Sequence, residues 1–294
     1  MTTVFDVCSD ARRIAYGSMS EQINLAGANV IAGATTIPMQ LDVTGITPGS
    51  IISSGLNVWY VKSVNGQNSS VSVIPGYDNA PQEAVTQGDV IRIKPRVTDF
   101  YLFSLFNDEM RKLSSTTSGL YKIGAWTANV EPSYQTYEVP LAAIGMVNLL
   151  RVRYRLPGTP DVWTALNPSY YNWQATPTGN RVQLLIDIPS GTEIEFTYKS
   201  PFTQATSLTD DVVADCGLSD SMTDIPALGM VVTLLRTTDS RRNQIATQGD
   251  PRRADEVGPA TNLSSAAAFE RDYKARVQDE YARLIQRYPI FMGV

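Results

Sequence analysis

The residues best suited to chemistry are acids. Asp187, Glu193 and Glu195 straddle Ser190-Gly191, within a stretch that alternates as two strands. Two carboxylates flanking a glycosidic bond, one protonated and one ionised, can hydrolyse it without histidine. Outward acids on a soluble hairpin are the ordinary alternative, and nothing in the sequence frames a cleft around these three. A second acidic run, with Asp210, Asp211, Asp215, Asp220 and Asp224, invites a metal. A calcium loop needs alternating oxygen ligands, a glycine at its sixth position and a glutamate at its twelfth, and this spacing does not supply them. Helix caps and dipole-matched first turns account for Asp210, Asp211, Asp220 and Asp224 instead. Aromatic residues are the third candidate set, clustered at Trp126, Tyr134, Tyr137, Trp163, Tyr170, Tyr171 and Trp173. Exposed on a sheet, Trp126, Trp163, Tyr170, Tyr171 and Trp173 would stack on sugar rings; buried, they are core and interface pieces.

The chain of 294 residues contains no histidine. Imidazole-based nucleophile activation, histidine-ligated metals and histidine pH switches are thereby excluded, leaving carboxylates, lysine and tyrosine. Glycine-rich phosphate loops, nucleophile elbows and kinase signatures are absent from the sequence, so neither an enzyme nor a bound cofactor or metal is expected. Cys8 and Cys216 have no metal-like spacing and read as reduced, buried small hydrophobes, each in a predicted helix. The net charge of −5 argues against a grip on a phosphate backbone. Basic doublets do occur, at Arg12-Arg13, Arg241-Arg242 and Arg252-Arg253, each offset by nearby carboxylates and read as solvated or interface-pairing. The start of the chain lacks the basic and apolar segments of a signal peptide, and the longest apolar runs fall well short of the roughly 20 residues that span a bilayer. No membrane insertion is expected. Charged residues make up 18%, below the usual share of about a quarter, which suits a subunit packed against neighbours.

The predicted class is α+β: a small N-terminal β-barrel or sandwich, and a second β-sandwich inserted into a C-terminal helical unit. An amphipathic arm spans residues 1–18, with Val4, Val7, Ala11, Ile14 and Ala15 on one face and Gly17 as its stop. Short Val and Ile runs over 19–98 read as the first β module, whose clearest hairpin turns at Asn65-Gly66 with a type I′ geometry. Ile91 and Ile93 alternate with Val90, Arg92 and Lys94 as a half-buried strand ended by Pro95. A helix and linker follow over 99–118, capped by Thr98 or Asp99, with Phe100, Phe103, Phe106, Met110 and Leu113 at helical spacing. The sandwich occupies 119–202, with 181–188 and 193–199 as a hairpin around Ser190-Gly191. The remainder, 203–294, reads as helices over 208–216, 224–235 and 264–287, with a long loop over 239–263. The last helix carries Phe269, Tyr273, Val277, Tyr281, Leu284 and Tyr288 as a stripe.

Three passages resemble a family of tailed-bacteriophage structural proteins of the neck and tail region. They are Val71-Ser-Val-Ile-Pro-Gly-Tyr77 with Gln87-Gly-Asp-Val-Ile-Arg-Ile-Lys-Pro-Arg96 and the helix after it; Leu208-Thr-Asp-Asp-Val with Asp224-Ile-Pro-Ala-Leu-Gly229; and Arg283-Leu-Ile-Gln-Arg-Tyr-Pro-Ile290. The family pattern has Arg-Gly-Tyr and a histidine before the Gly-Asp strand, where this chain has Pro75-Gly76-Tyr77 and no histidine. The resemblance implies a virion protein of the head-to-tail connector or adaptor, assembled in the bacterial cytoplasm as a homo-oligomeric ring. Its partners would be the portal and other neck or tail proteins, and double-stranded DNA would pass through without sequence-specific binding. On that reading the subunit contacts are Phe5, Arg12 and Arg13 in the arm, Arg241, Arg242, Arg252 and Arg253 in the loop, and Phe269, Tyr273, Tyr281 and Tyr288 on the final helix. A receptor- or carbohydrate-binding minor tail protein using the aromatic sandwich is the alternative.

Overall fold

The computed structural model describes residues 2–17, 21–115, 118–130, 136–138, 148–159, 162–176, 179–246 and 261–288. Helices and strands contribute in nearly equal measure, with a curled N-terminal sheet and a C-terminal helical region, so the class is α+β. Two compact units are present. The barrel unit comprises 1–109, 205–215 and 223–273, and the sandwich unit 110–204, 216–222 and 274–294.

Helix α1 (Val4–Tyr16) opens the barrel unit. Thr3 and Asp6 form a reciprocal capping box at its start, which satisfies two otherwise orphaned amides, and Gly17 at φ 72° ends it. Val4, Val7, Cys8 and Ala11 recur at helical spacing and are buried, whereas Ile14, expected on that face, is exposed. The chain before and within the first turn is stitched to its own later residues: Val4 N–H donates to Asp210 O at 3.0 Å, Phe5 N–H to Leu208 O at 2.9 Å, and Val212 N–H to Thr2 O at 3.0 Å. α1 also packs on α3 (Ile225–Ala246) of the same chain.

Six strands follow: β1 (Gln22–Leu25), β2 (Thr36–Pro38), β3 (Ile51–Ser54), β4 (Asn57–Asn65), β5 (Ser70–Ile74) and β6 (Val90–Ile93), arranged β1-β6-β3-β4-β5-β2. The two edges meet. Ala26 bridges Met39, Gln40 N–H donates to Leu25 O, and buried Asn24 bonds the backbone of Leu41 and Asp42, so the sheet closes on itself and few edge groups remain unpaired. Ile37, Ile52, Trp59, Val61, Val71, Val73, Ile91 and Ile93 fill the interior. The alternation expected at 90–93 holds, with Ile91 and Ile93 inside and Val90 exposed. Strand β6 ends before Pro95, where Lys94 turns the chain at φ 50°.

The hairpin at 65–66 differs from expectation. Asn65 pairs with Ser70, so four residues form the loop. The Asn65 carboxamide accepts from the amides of Gln67 and Asn68, and Ser69 rather than Gly66 takes the left-handed conformation; the asparagine acts through its side chain, not through a type I′ turn.

Helix α2 (Asp99–Leu113) starts with Thr98 Oγ1 accepting from Tyr101 N–H at 3.2 Å, which assigns the cap to Thr98. Its buried positions are Asp99, Leu102, Leu105, Phe106, Glu109, Met110 and Leu113, so Phe100 and Phe103 lie at the margin of the expected stripe. The segment expected as a helix over 208–216 is a string of turns. Asp210 accepts from the amides of Thr206 and Ser207, Asp211 from those of Val213 and Ala214, and Asp215 from that of Asp211; these local bonds compete with a helical ladder. Cys216 is therefore buried in a turn, whereas Cys8 is in a helix. α3 runs eleven residues past the expected end at 235, and α4 (Thr261–Arg287) begins before 264, so the expected loop at 239–263 is helical at both ends and its centre, 247–260, lies outside the described residues. Among the described residues no helix is long and apolar enough to cross a membrane.

The described residues of the sandwich unit form two sheets. One contains β7 (Lys122–Asn129), β9 (Asn148–Arg155), β10 (Thr164–Ala165) and β13 (Glu193–Ser200) in the order β10-β9-β13-β7; the other contains β8 (Thr136–Glu138), β11 (Tyr171–Thr176) and β12 (Gly179–Leu184) in the order β11-β12-β8. Val152, Ile194 and Phe196 from the first meet Tyr137, Val182 and Leu184 from the second in one core. The expected hairpin between 181–188 and 193–199 is not formed. β12 pairs with β11 and β8, β13 with β7 and β9, and the connection through Gly191 crosses between sheets. Both segments carry an apolar face, and placing them in opposite sheets buries both. Gly124 allows the tight packing here, since a Cβ there would lie 2.3 Å from the Tyr198 ring.

Candidate functional site

On adjacent strands β9 and β13, Arg153 stands opposite Glu195 and Arg155 opposite Glu193. Arg153 donates to both carboxylate oxygens of Glu195 at 2.7 Å, and Arg155 pairs with Glu193. The hydrogen bond to Glu195 raises Arg153 above the ordinary arginine value against the opposing effect of burial. Trp163 covers the ladder, its ring 4.7 Å from the Arg153 guanidinium carbon and 5.1 Å from that of Arg155. A glycosidase acid needs surroundings that favour the neutral carboxyl, and a bidentate guanidinium is the opposite kind of neighbour. The two glutamates are set up to hold strands together.

The aromatic set divides. Trp126, Tyr171 and Trp173 pack on the sandwich core, Trp126 stacking on Phe196 at 4.6 Å, and burial raises the Tyr171 phenol. Tyr137 is in the core and Tyr134 lies outside the described residues. Tyr170 is 46% exposed, which leaves it and the arginine-backed Trp163 as surface aromatics of the group. The acidic run forms no metal cage: among the described residues no group of three or more His, Cys, Asp or Glu side chains could hold an ion. Backbone amides, that of Thr206 foremost, hold Asp210 below the usual carboxylate range.

The arm and final helix are placed as follows. Phe5 is 43% exposed on the outer face of α1. Arg13 is exposed and pairs with Asp10 at 2.8 Å. Arg12 is mostly buried and pairs with Asp99, which also accepts from Arg92 Nε at 3.4 Å; Arg92 in turn reaches Glu21 at 2.8 Å. Burial opposes the charge on Arg92, yet Asp99 and Glu21 hold it above its ordinary value. Arg241 and Arg242 fall on the backbone of α3 with side chains outside the described residues, and Arg252 and Arg253 lie outside the described residues altogether. Phe269 is half-buried, and Tyr273 donates to buried Glu109 at 3.4 Å, with burial and then Glu109 pushing its phenol upward. Tyr281 is 38% exposed, and Tyr288 is buried, with the guanidiniums of Arg151 and Arg287 each 5.6 Å from its ring.

Sequence reasoning missed the buried acids that organise these regions. Glu280 is 2% exposed and accepts from Arg276, Arg283 and the Ser221 hydroxyl. Its spacing of four and three residues from those arginines was the available signal. Asp99 offered none, because its partners lie in other elements. Large apolar side chains remain on the barrel surface: Ile31 is 78% exposed, Ile23 52%, Leu41 50% and Val90 46%.

The sequence matches no protein-family model, and no curated protein is significantly similar to it.

Proposed function

We propose that the chain is a structural subunit of a tailed-bacteriophage virion that assembles as a ring in the neck, between head and tail. The observation that carries this reading is the division of its surface chemistry. The catalytic candidates Glu193 and Glu195, and the buried acids Asp99 and Glu280, are engaged by arginines of the same chain, while Ile23, Ile31, Leu41, Val90 and Phe5 remain exposed. Polar groups spent internally and apolar groups left outside are what a subunit contributes to a permanent assembly. The resemblance of the strand-to-helix junction at 87–113 and of the final helix to neck and tail proteins gives the kind of assembly. A net charge of −5 fits a ring through which DNA slides without being held. Glycan recognition is the second reading, favoured by exposed Tyr170 on the sandwich unit. Mass spectrometry of purified particles, with negative-stain microscopy of the isolated protein, tests the proposal. Presence in particles and ring-shaped oligomers are expected; a monomer at high concentration that is missing from particles refutes it.

A further inference from the structure

The barrel unit holds a pocket of about 410 Å³ at the C-terminal half of α1, a feature the assembly reading does not require. Four arginines line it: Arg12 and Arg13 from α1, Arg92 from β6, and Arg96 from the turn into α2. Ile23 and Val97 supply an apolar wall. Glu21 is the acid in the lining, and with Asp99 it fixes the orientation of Arg12 and Arg92, whose side chains are only 15% and 22% exposed. Arg96 is held with its guanidinium carbon 4.3 Å from the centre of the Tyr16 ring. Arg12 Nε is buried and has no hydrogen-bond acceptor. An unsatisfied donor of that kind costs about 1–3 kcal/mol.

We propose that this pocket binds a small oxyanion, a phosphate or carboxylate group, through the clustered guanidiniums. Planar forks held in place by acids are preorganised for a two-oxygen acceptor, so little side-chain entropy is lost on binding. Arg12 and Arg92 share the Asp99 carboxylate, which sets their two forks side by side, and the apolar wall excludes water from one side of the bound group. The oxyanion has two sources: free phosphate or a phosphate ester, and a carboxylate side chain presented by a neighbouring protein.

Isothermal titration of the full chain with inorganic phosphate, and separately with glutarate as a carboxylate probe, at constant ionic strength against chloride, tests the site. Saturable 1:1 binding of at least one probe at about 1 mM or tighter is expected. Preference for phosphate identifies the first source and preference for glutarate the second. Arg12→Lys keeps the charge but removes the fork, and should weaken binding by about tenfold or more. If that variant fails to fold, Arg13→Ala, at a side chain 73% exposed, takes its place with the same expectation. The absence of saturable binding of either probe to folded wild type overturns the proposal, as does unchanged affinity in the folded variant.

Discussion

Replacing Asp99 by asparagine removes the carboxylate shared by Arg12 and Arg92 while keeping the shape of the side chain. Asp99 is 6% exposed at the start of α2, and both arginines are mostly buried, so the change leaves positive charge with fewer acceptors in a region poorly reached by water. Breaking a buried pair costs about 3–5 kcal/mol. Two features lower that figure: Arg92 keeps Glu21 at 2.8 Å, and Arg12 keeps the Val97 carbonyl at 3.4 Å. Loss of an acid at a helix N-terminus adds about 0.3–1 kcal/mol. The expected destabilisation is about 3 kcal/mol, which for a unit of this size lowers the melting temperature by about 6–12 °C. Calorimetry of the whole chain measures it, with Asp10→Asn as the control, because the Asp10–Arg13 pair is exposed and should change stability by no more than about 0.5 kcal/mol. Adding Arg12→Met to Asp99→Asn should recover part of the loss, with a coupling of about 1 kcal/mol or more. An Asp99→Asn protein as stable as the control, or additive effects in the double variant, would refute the reasoning.

Burial, reinforced by Asp99 and opposed by Arg12, pushes the Cys8 thiol up to about 12 from 9.0. The unfolded thiol ionises first as pH rises, so this group's stabilisation is intact below about pH 9 and is lost between there and about pH 12, by up to about 4 kcal/mol; Cys8→Ala should flatten that alkaline decline in urea denaturation curves. Gly229 sits where an added Cβ would lie 2.3 Å from the Glu109 carboxylate and 3.1 Å from the Tyr273 ring. Gly229→Ala should therefore destabilise the barrel unit by about 1–3 kcal/mol in thermal melts and bring the raised Tyr273 phenol down in an ultraviolet titration. Arg153→Ala removes the bidentate bond to Glu195 and the contact with Trp163; a loss of about 1–2 kcal/mol and a red shift of tryptophan fluorescence are expected, and neither would occur if the ladder were merely a solvated surface.

Much of the fold was legible because it rests on local pattern. Alternation at Ile91 and Ile93, the stop at Gly17 and the cap at Thr98 each depend on a few adjacent residues, and each is where the sequence places it. The failures share a different cause. Val182, Leu184, Ile194 and Phe196 alternate as a hairpin would, and only the second apolar face, which needs a facing sheet, reveals that they belong to opposite layers. The run at 208–216 has helical composition, but Asp210, Asp211 and Asp215 turn back on their own amides. The ion pairs among Arg12, Asp99, Arg92 and Glu21 join residues far apart in the chain, so neither their charges nor their burial had a sequence signature. For the same reason the arginine pocket could not be anticipated: the Arg12-Arg13 doublet reads as solvated or interface-pairing, and only the fold brings Arg92 and Arg96 beside it.

The proposed assembly role is tested most directly by gold-label electron microscopy of phage particles produced with this protein carrying a small tag at its amino end. Label between head and tail is the predicted result. Label at the distal tail tip, or particles that lack the protein although the tag is accessible, would contradict the account.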